Sequence, residues 1–300
     1  MRTLDKYQGV IPAFYACYDK EGKIDGGAVE KLANYYLEVG VKGLYVGGSS
    51  GECIYQNVEE RKEVLEHVME AVGGKMTIIA HVAAPSTDQS VELAKHAATL
   101  GVDALAAIPP LYYGLNEAAI EQYWTKIATA TDLDFIIYNI PQTTGYALSL
   151  NLLEKMLKLD QVIGVKNSSM PVMDINVFRN NQVKDIIVFN GPDEQFIGGR
   201  AMGAQAGIGG TYGAMPKLFL QLNHLFEEGK LEEAYNLQNK INEIIFALQS
   251  GEGHMYAIIK GVLRLRGIDI GEVRQPFLPA SASDQALIES VYQTIIELED

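Results

Sequence analysis

The sequence has few cysteines and no long apolar run, and each shortage excludes a class of protein. The only cysteines among 300 residues are Cys17 and Cys53, too few for a disulfide scaffold and too irregularly spaced for a zinc site. We expect both to be buried free thiols in a reducing compartment. No stretch reaches the ~18 consecutive apolar residues of a membrane-spanning helix, and the first residues contain no apolar signal segment. The sequence therefore predicts a cytoplasmic protein that does not contact a membrane.

Basic residues are also scarce, because 24 lysines and arginines stand against 38 aspartates and glutamates, for a formal net charge of −14. Without a basic cluster, such a chain would repel a phosphate backbone, so we expect no nucleic-acid partner. No two histidines are spaced i,i+4, so the sequence predicts no metal site. The five histidines are His67, His81, His96, His224 and His254.

Eight short apolar runs, bounded by turn residues, alternate with segments of helical period. Runs that are apolar on both faces suit parallel strands covered by helices. Eight units between Val10 and Gly229 take about 27 residues each, which fits an α/β fold of the (β/α)8 TIM-barrel type. A doubly wound sheet is the rival, but GIGGTYG at 207–213 has tyrosine where a dinucleotide fingerprint needs its third glycine. The predicted strands begin at Val10, Val41, Met76, Val102, Asp134, Val162, Asp185 and Ala204.

Strand signals stop after residue 229, and three helical patterns follow. They are LEEAYNLQNKINEIIFAL, HMYAIIKGVLRLRG and SDQALIESVYQTIIEL. The first carries an apolar stripe at spacings of 3 and 4, which is typical of a helix packed on one side. We predict a catalytic barrel over residues 1–229 and a C-terminal helical domain over residues 230–300, joined without a linker. The stripe consists of Ala234, Leu237, Ile241, Ile244 and Leu248.

Lys166 is the strongest candidate for a catalytic residue. The C-terminal ends of barrel strands converge on one face, where active sites are built. Lys166 follows the apolar run VIGV, so desolvation would favour its neutral, nucleophilic amine, although a solvated loop lysine is the alternative. Tyr138 ends the neighbouring strand FIIYN and would place a phenol beside that amine. An amine next to a proton-transfer group is the minimum set for carbonyl chemistry.

The segment GGSSGE at 47–52 ends the second strand in a glycine-rich turn that carries two hydroxyls. It could form an anion hole from the Ser49 and Ser50 hydroxyls and backbone N–H groups, or it could be only a tight turn.

Three further polar residues follow predicted strands. His81 ends the third strand, where a core or supporting role is more typical than direct contact with a ligand. Asp193 and Glu194 adjoin, so their side chains point apart and do not form an obvious acid/base pair. We expect them to accept hydrogen bonds from substrate hydroxyls, with solvated loop acids as the alternative.

The order of these motifs resembles the N-acetylneuraminate lyase and dihydrodipicolinate synthase superfamily, over about residues 10–271. The resemblance implies a (β/α)8 barrel with a C-terminal three-helix extension. It also implies a 2-oxo acid substrate such as pyruvate or a sugar acid, and no metal or organic cofactor. The motifs are GGSSGE, AIPPLYYG, YNIPQTTG, GVKNSS, NGPDE and GIGGTY, in strand order.

The resemblance also implies roles for individual residues. Lys166 matches the Schiff-base lysine, and Tyr138 matches the proton-transferring tyrosine. Ser49 and Ser50 match the hydroxyl pair that holds the pyruvyl carboxylate. Tyr112 matches a tyrosine that can join a proton relay across a subunit contact, and such enzymes are usually homotetramers.

Three positions favour one branch of the superfamily over another. Thr143 stands where the synthases carry an arginine for the aldehyde's carboxylate. Asp193 and Glu194, in GPDE, match groups that bind the polyhydroxyl chain in the lyases. Gly210 departs from the serine usual in the lyases, which removes one expected hydrogen bond to the glycerol tail of the sugar. The other positions expected to bind substrate are Ser168 and Gly191.

The sequence therefore predicts a class I aldolase that reversibly cleaves N-acetylneuraminate, or a close 2-oxo sugar acid, to pyruvate and an N-acylmannosamine. Two alternatives stay open. One is another aldolase or dehydratase of the superfamily, which acts on a 2-keto-3-deoxy sugar acid or makes dihydrodipicolinate. The other is a barrel that binds a sugar acid without turning it over.

Overall fold

Eight parallel strands form the centre of the chain, as the apolar runs predict. The computed structural model describes residues 3–299. Each strand pairs with its neighbours in sequence from β2 to β8, and β8 pairs with β1. The strands are β1 (Gly9–Pro12), β2 (Gly43–Val46), β3 (Thr77–His81), β4 (Ala104–Ala107), β5 (Asp134–Asn139), β6 (Val162–Asn167), β7 (Ile187–Asn190) and β8 (Ala206–Gly209).

Backbone hydrogen bonds join β1 to β2 and complete the barrel. The Lys42 amide donates to the Val10 carbonyl at 3.0 Å, and the Phe14 amide donates to the Tyr45 carbonyl at 2.9 Å. The predicted (β/α)8 barrel is therefore confirmed. The helices that follow the strands are α1 (Gly26–Val39), α2 (Val58–Val72), α3 (Thr87–Leu100), α4 (Glu117–Ala128), α5 (Pro141–Thr144), α6 (Leu150–Met156), α7 (Met173–Arg179), α8 (Phe196–Ala201) and α9 (Pro216–Glu227).

Local sequence determines where the helices begin and end. Asn57 and Glu60 form a reciprocal capping box at the start of α2, which satisfies two backbone donors that the helix leaves free. At the start of α3 the Ser86 side chain accepts a hydrogen bond from the Gln89 amide, and the helix ends at Gly101, whose φ is +77°. That left-handed conformation favours glycine.

Three helices follow the barrel, as the helical patterns predict: α10 (Leu231–Gln249), α11 (Met255–Leu265) and α12 (Gln285–Glu299). The predicted stripe of α10 is buried, and α10 packs against α8, α9, α11 and α12. The division of the chain at residue 229 stays a prediction. Both cysteines are buried free thiols, as expected. Among residues 3–299, no helix is both long and apolar enough to cross a membrane.

A register shift between β5 and β6 decides which side chains of the two strands face each other. The shift lies between Phe135 and Ile136 of β5, as a β-bulge would produce. Beyond it, Tyr138 pairs with Lys166, whereas an unshifted ladder would pair Tyr138 with Val165. The irregularity therefore brings the two candidate catalytic residues side by side.

Gly164 lies just beyond this shift and allows β6 to approach β7 closely. A Cβ added at residue 164 would overlap the carbonyl oxygen of Ile187 and its side chain. Because a backbone atom of a central strand cannot move aside cheaply, the position requires glycine.

We expect Gly164→Ala to lower the free energy of unfolding by about 1–3 kcal/mol, the usual cost of overpacking a core. Denaturant unfolding measures this loss. Gly114→Ala is the matched control, because no described atom lies within 4 Å of a Cβ added there. Equal stability of the two variants would contradict the steric argument.

Candidate active site

Lys166 lies near the C-terminal end of β6 and is only 5% exposed. Its Nζ lies 3.9 Å from the ring centroid of Tyr138 and 4.3 Å from that of Tyr45. Ring faces attract a cation by their quadrupole. Within residues 3–299, no carboxylate forms a salt bridge to Lys166. No ion pair therefore has to break before this amine attacks a carbonyl.

A buried chain of amides and hydroxyls fixes the two strand ends behind this pair. Asn139 donates to Asn167 Oδ1 at 2.7 Å, and Asn167 donates to Ser169 Oγ at 2.9 Å. The Ser169 hydroxyl donates to Asp174 Oδ2 at 2.6 Å. Sequence analysis missed this network, although each asparagine directly follows a candidate catalytic residue. It holds the backbone on which Tyr138 and Lys166 stand.

His81 supports the site and does not offer it a free nitrogen. Its Nδ1 lies 2.8 Å from the Gly47 carbonyl oxygen, and its Nε2 accepts from the Ile108 amide at 3.4 Å. Burial, with help from the Arg61 charge, lowers the pKa of His81 to about 3. The imidazole is therefore neutral, donates from Nδ1, and packs edge-to-face against Tyr138.

The turn after β2 places its two serines differently. Ser50 is buried, whereas Ser49 is exposed. The Ser50 hydroxyl donates to the Tyr256 phenol oxygen at 3.2 Å. Gly48 permits the turn to pack on Tyr45, because a Cβ at residue 48 would lie 2.6 Å from that ring. The turn thus presents one fixed hydroxyl and one accessible hydroxyl.

Tyr256 belongs to this site, and sequence analysis did not find it. It stands on α11, 206 positions from Ser50 along the chain. A Cβ at Gly210 would lie 3.7 Å from the Tyr256 phenol oxygen and 3.3 Å from Ser50 Oγ. Burial raises the pKa of Tyr256 well above its ordinary value, so the phenol stays protonated. A hydroxyl is therefore present beside the position where the expected serine is absent.

Asp193 and Glu194 differ in burial. Asp193 is buried, and its Oδ2 accepts from the Thr211 amide at 2.6 Å and from the Thr211 hydroxyl at 2.5 Å. Its Oδ1 has no hydrogen-bond partner in the described residues. Burial raises the pKa of Asp193 to about 7, against the opposing effect of the Thr211 hydrogen bonds. Glu194 is half-buried, and its Oε1 accepts from Gln249 at 3.4 Å.

Two of the remaining predicted residues lie together, and two do not. Gly191 packs against Ser168, because a Cβ at residue 191 would overlap the Ser168 hydroxyl. Thr143 is exposed on α5, where its hydroxyl donates to the Ile140 carbonyl at 3.3 Å. Tyr112 is 94% exposed in the single chain.

The described residues also bring three possible metal ligands together, which the histidine spacing did not indicate. Glu30, His67 and Glu70 place one ligand atom each within 4.8 Å of one another. Because they come from α1 and α2, spacing within one segment could not reveal them. His67 Nδ1 lies 2.7 Å from Glu30 Oε1, and the group includes none of the residues described around Lys166.

Comparison with known proteins places the chain in a family. A family described as the dihydrodipicolinate synthetase family matches residues 6–295. The chain belongs to the dihydrodipicolinate synthetase family. The N-acetylneuraminate lyase of Mediterraneibacter gnavus is 54% identical to it over 299 residues, which cover 99% of this chain and 95% of that protein.

Two further comparisons agree with this likeness. The N-acetylneuraminate lyase of Rhizobium meliloti is 34% identical over 292 residues, or 97% of this chain and 96% of that protein. A solved Ruminococcus gnavus sialic acid aldolase, a catalytic lysine mutant, superposes with a TM-score of 0.98 at 54% identity. The superposition covers 99% of this chain and 98% of that one.

We expect Asp193→Asn to change how stability depends on pH. The pKa of Asp193 is about 7 in the folded chain and about 4 when unfolded, so the folded state keeps a proton that the unfolded chain has lost. Stability of the wild type therefore falls as the pH rises from about 4 to 7, by up to about 4 kcal/mol. Asparagine cannot ionise, so the variant should become the more stable protein near pH 7, as measured by thermal unfolding from pH 4 to 8.

Asp284→Asn is a control in which the change in stability should depend on pH in the opposite direction. Backbone hydrogen bonds, first from Ser281 and then from Glu252 and Gly253, lower the pKa of Asp284. This variant should lose stability at neutral pH and converge with the wild type as the pH falls below about 4. Parallel pH profiles for wild type and Asp193→Asn would contradict the buried proton.

Proposed function

We propose that this chain is a Schiff-base aldolase that reversibly cleaves N-acetylneuraminate, or a close 2-oxo sugar acid, to pyruvate and an N-acylmannosamine. The observation that carries the proposal is the buried Lys166 amine, 3.9 Å from the Tyr138 ring and without a salt-bridge partner in the described chain. The sugar acid is supported by relatives named N-acetylneuraminate lyase, one of them 54% identical.

The first step forms a covalent bond to the substrate. Lys166 Nζ attacks the C2 ketone of the open-chain sugar acid, and loss of water gives a protonated imine. The low exposure of Lys166 limits access of bulk water to this imine. Since the iminium is itself the electron sink, the reaction requires neither a metal nor an organic cofactor.

The second step breaks the C3–C4 bond. The electron pair of that bond moves to the iminium and leaves an enamine, while the C4 hydroxyl becomes the aldehyde of the N-acylmannosamine. Tyr138 takes part in removing the C4 hydroxyl proton. Protonation of the enamine at C3 and hydrolysis of the imine then release pyruvate and return the free Lys166 amine.

The substrate's carboxylate binds at the turn after β2. Ser49 offers an accessible hydroxyl, and the Ser50 hydroxyl is fixed by Tyr256 at 3.2 Å. Hydroxyl and backbone N–H donors favour an anion there, even though the chain as a whole is acidic. Tyr256 places a protonated phenol beside Gly210, where the resemblance expects a serine that contacts the glycerol tail.

The polyhydroxyl chain of the sugar binds near β7 and β8. Asp193 Oδ1 has no hydrogen-bond partner among residues 3–299, and Glu194 is half-buried beside it. Ser168 and Gly191 complete this side. Because Thr143 carries no charge, the site lacks the guanidinium that would hold the carboxylate of a second acid.

Tyr112 acts from a neighbouring subunit in a homotetramer. Its 94% exposure in the single chain leaves the ring available for such a contact. This assembly and a cytoplasmic location stay predictions.

The first prediction for this function concerns the imine. Incubation with pyruvate and borohydride should add one reduced pyruvyl group to the peptide that contains Lys166, since reduction traps the imine irreversibly. Mass spectrometry of the digested protein locates the adduct. Lys166→Ala should remove both the adduct and turnover, and Lys42→Arg, at an exposed lysine, should keep the adduct at Lys166. An adduct on any other lysine would disprove the assignment.

The second prediction concerns the partner aldehyde. We expect kcat/KM for N-acetylneuraminate cleavage to exceed that for condensation of pyruvate with aspartate semialdehyde by at least about tenfold. A missing charge-assisted hydrogen bond to the semialdehyde's carboxylate accounts for this size, at about 1.5–3 kcal/mol. Coupled assays on the same preparation measure both reactions, and the pyruvate adduct serves as the common control. Faster condensation would favour a synthase instead.

A further inference from the structure

Glu52 closes the turn that carries Ser49 and Ser50, in a conformation that glutamate rarely adopts. Its φ is +52° and its ψ is 34°, in the left-handed region that favours glycine. The residue is only 2% exposed, so the side chain is not simply left in solvent. Glycine would adopt this conformation without strain. The reason for a glutamate at this position must therefore lie in the contacts of its carboxylate.

Residues of the C-terminal segment surround that carboxylate. Lys260 Nζ lies 3.2 Å from Glu52 Oε1, and the Arg274 amide donates to Glu52 Oε2 at 2.9 Å. Lys260 is 1% exposed and also donates to the Glu272 carbonyl at 2.7 Å. Burial lowers the pKa of Lys260, and the Glu52 charge opposes that effect. Each buried charge thus depends on the other for its neutralisation.

Helix α11 contacts the turn after β2 at two points. Tyr256 and Lys260 are four residues apart on α11, so they lie on one face, one turn apart. Tyr256 accepts the hydrogen bond from Ser50, and Lys260 pairs with Glu52. Between these contacts the turn is short, because the Glu52 amide donates to the Ser49 carbonyl at 3.0 Å. Moving Glu52 would therefore move the serines.

We propose that Glu52 and Lys260 form a positioning pair that holds the Ser49 and Ser50 hydroxyls against α11, in the arrangement that binds the substrate's carboxylate. This inference rests on the proposed function. Both residues act through Ser50 and Tyr256, so their loss weakens binding of pyruvate and leaves the chemistry at Lys166 largely intact.

The test uses Glu52→Gln, Lys260→Met and the double variant on the full chain. Each should raise the pyruvate concentration that half-saturates borohydride trapping by about tenfold or more, about 1.4 kcal/mol in binding. Under saturating pyruvate the trapping rate should fall less than about threefold, because the Tyr138–Lys166 pair is unchanged. The double variant matters most, because it leaves no unpaired buried charge and should unfold at nearly the wild-type temperature.

Arg266→Met is the matched control. Arg266 forms a bidentate pair with Glu299 at 2.9 Å for both contacts and joins the end of α11 to α12, without touching the turn. If general loosening of the C-terminal helices explained the effect, this variant would share it. We expect its half-saturating pyruvate concentration to stay within about twofold of the wild-type value.

Hydrogen exchange of peptides from 47–56 gives a measurement that needs no activity. Exchange should be faster in the double variant and unchanged in Arg266→Met. A folded double variant with wild-type half-saturation and wild-type exchange would overturn the inference. If the wild type forms no pyruvyl adduct, the proposed function fails instead, and the exchange result alone decides whether the pair holds the turn.

Discussion

The pairing of β5 with β6 is the constraint on which the candidate site depends. Successive side chains of a strand point to opposite faces of the sheet. A slip of one residue between β5 and β6 would therefore put Tyr138 and Lys166 on opposite faces. The register shift near Phe135 prevents that outcome, since it aligns Tyr138 with Lys166 instead of Val165. Gly164 stands next to the shift and allows β7 to lie close on the other side. The strand register therefore places the two residues side by side, which lets Lys166 Nζ lie 3.9 Å from the centroid of the Tyr138 ring.

The charges around Lys166 differ from what the net charge of the chain suggests. The formal charge is −14, yet Lys166 has no salt bridge in the described residues, and Arg61 donates only to the carbonyls of His81 and Ala83 at 2.6 Å. Burial raises the pKa of Asp193 to about 7, so its negative charge is partly absent near neutral pH. His81 is neutral because its pKa is about 3. The net charge of the chain therefore does not describe the surroundings of Lys166.

The sequence was most informative where a signal is local. Alternation of apolar runs and helical periods predicted the barrel and the three helices, because burial imposes those periods directly. Lys166 and Tyr138 were predicted from their positions at strand ends, and the relatives confirm the family and favour the lyase branch. Tyr256 and the Glu52–Lys260 pair were missed, because each contact joins positions more than 200 residues apart. No spacing rule covers such pairs. The register shift was also missed, since a bulge of one residue leaves no trace in an apolar run.

The C-terminal helices are more closely tied to the candidate site than a division at residue 229 suggests. From α10, Gln238 donates to the Asp193 carbonyl at 3.1 Å, and Asn242 donates to the Glu194 carbonyl at 3.0 Å. Tyr256 of α11 contacts the turn after β2, because it accepts the hydrogen bond from the Ser50 hydroxyl. The helices thus contact both parts of the proposed binding site, the part for sugar hydroxyls and the part for a carboxylate. The barrel supplies the reacting pair, Lys166 and Tyr138. Loops at the mouth of a barrel are its most mobile parts, and hydrogen bonds from rigid helices reduce the entropy that substrate binding would otherwise have to remove. The contacts proposed to orient the substrate therefore come from the helices as well as from the barrel.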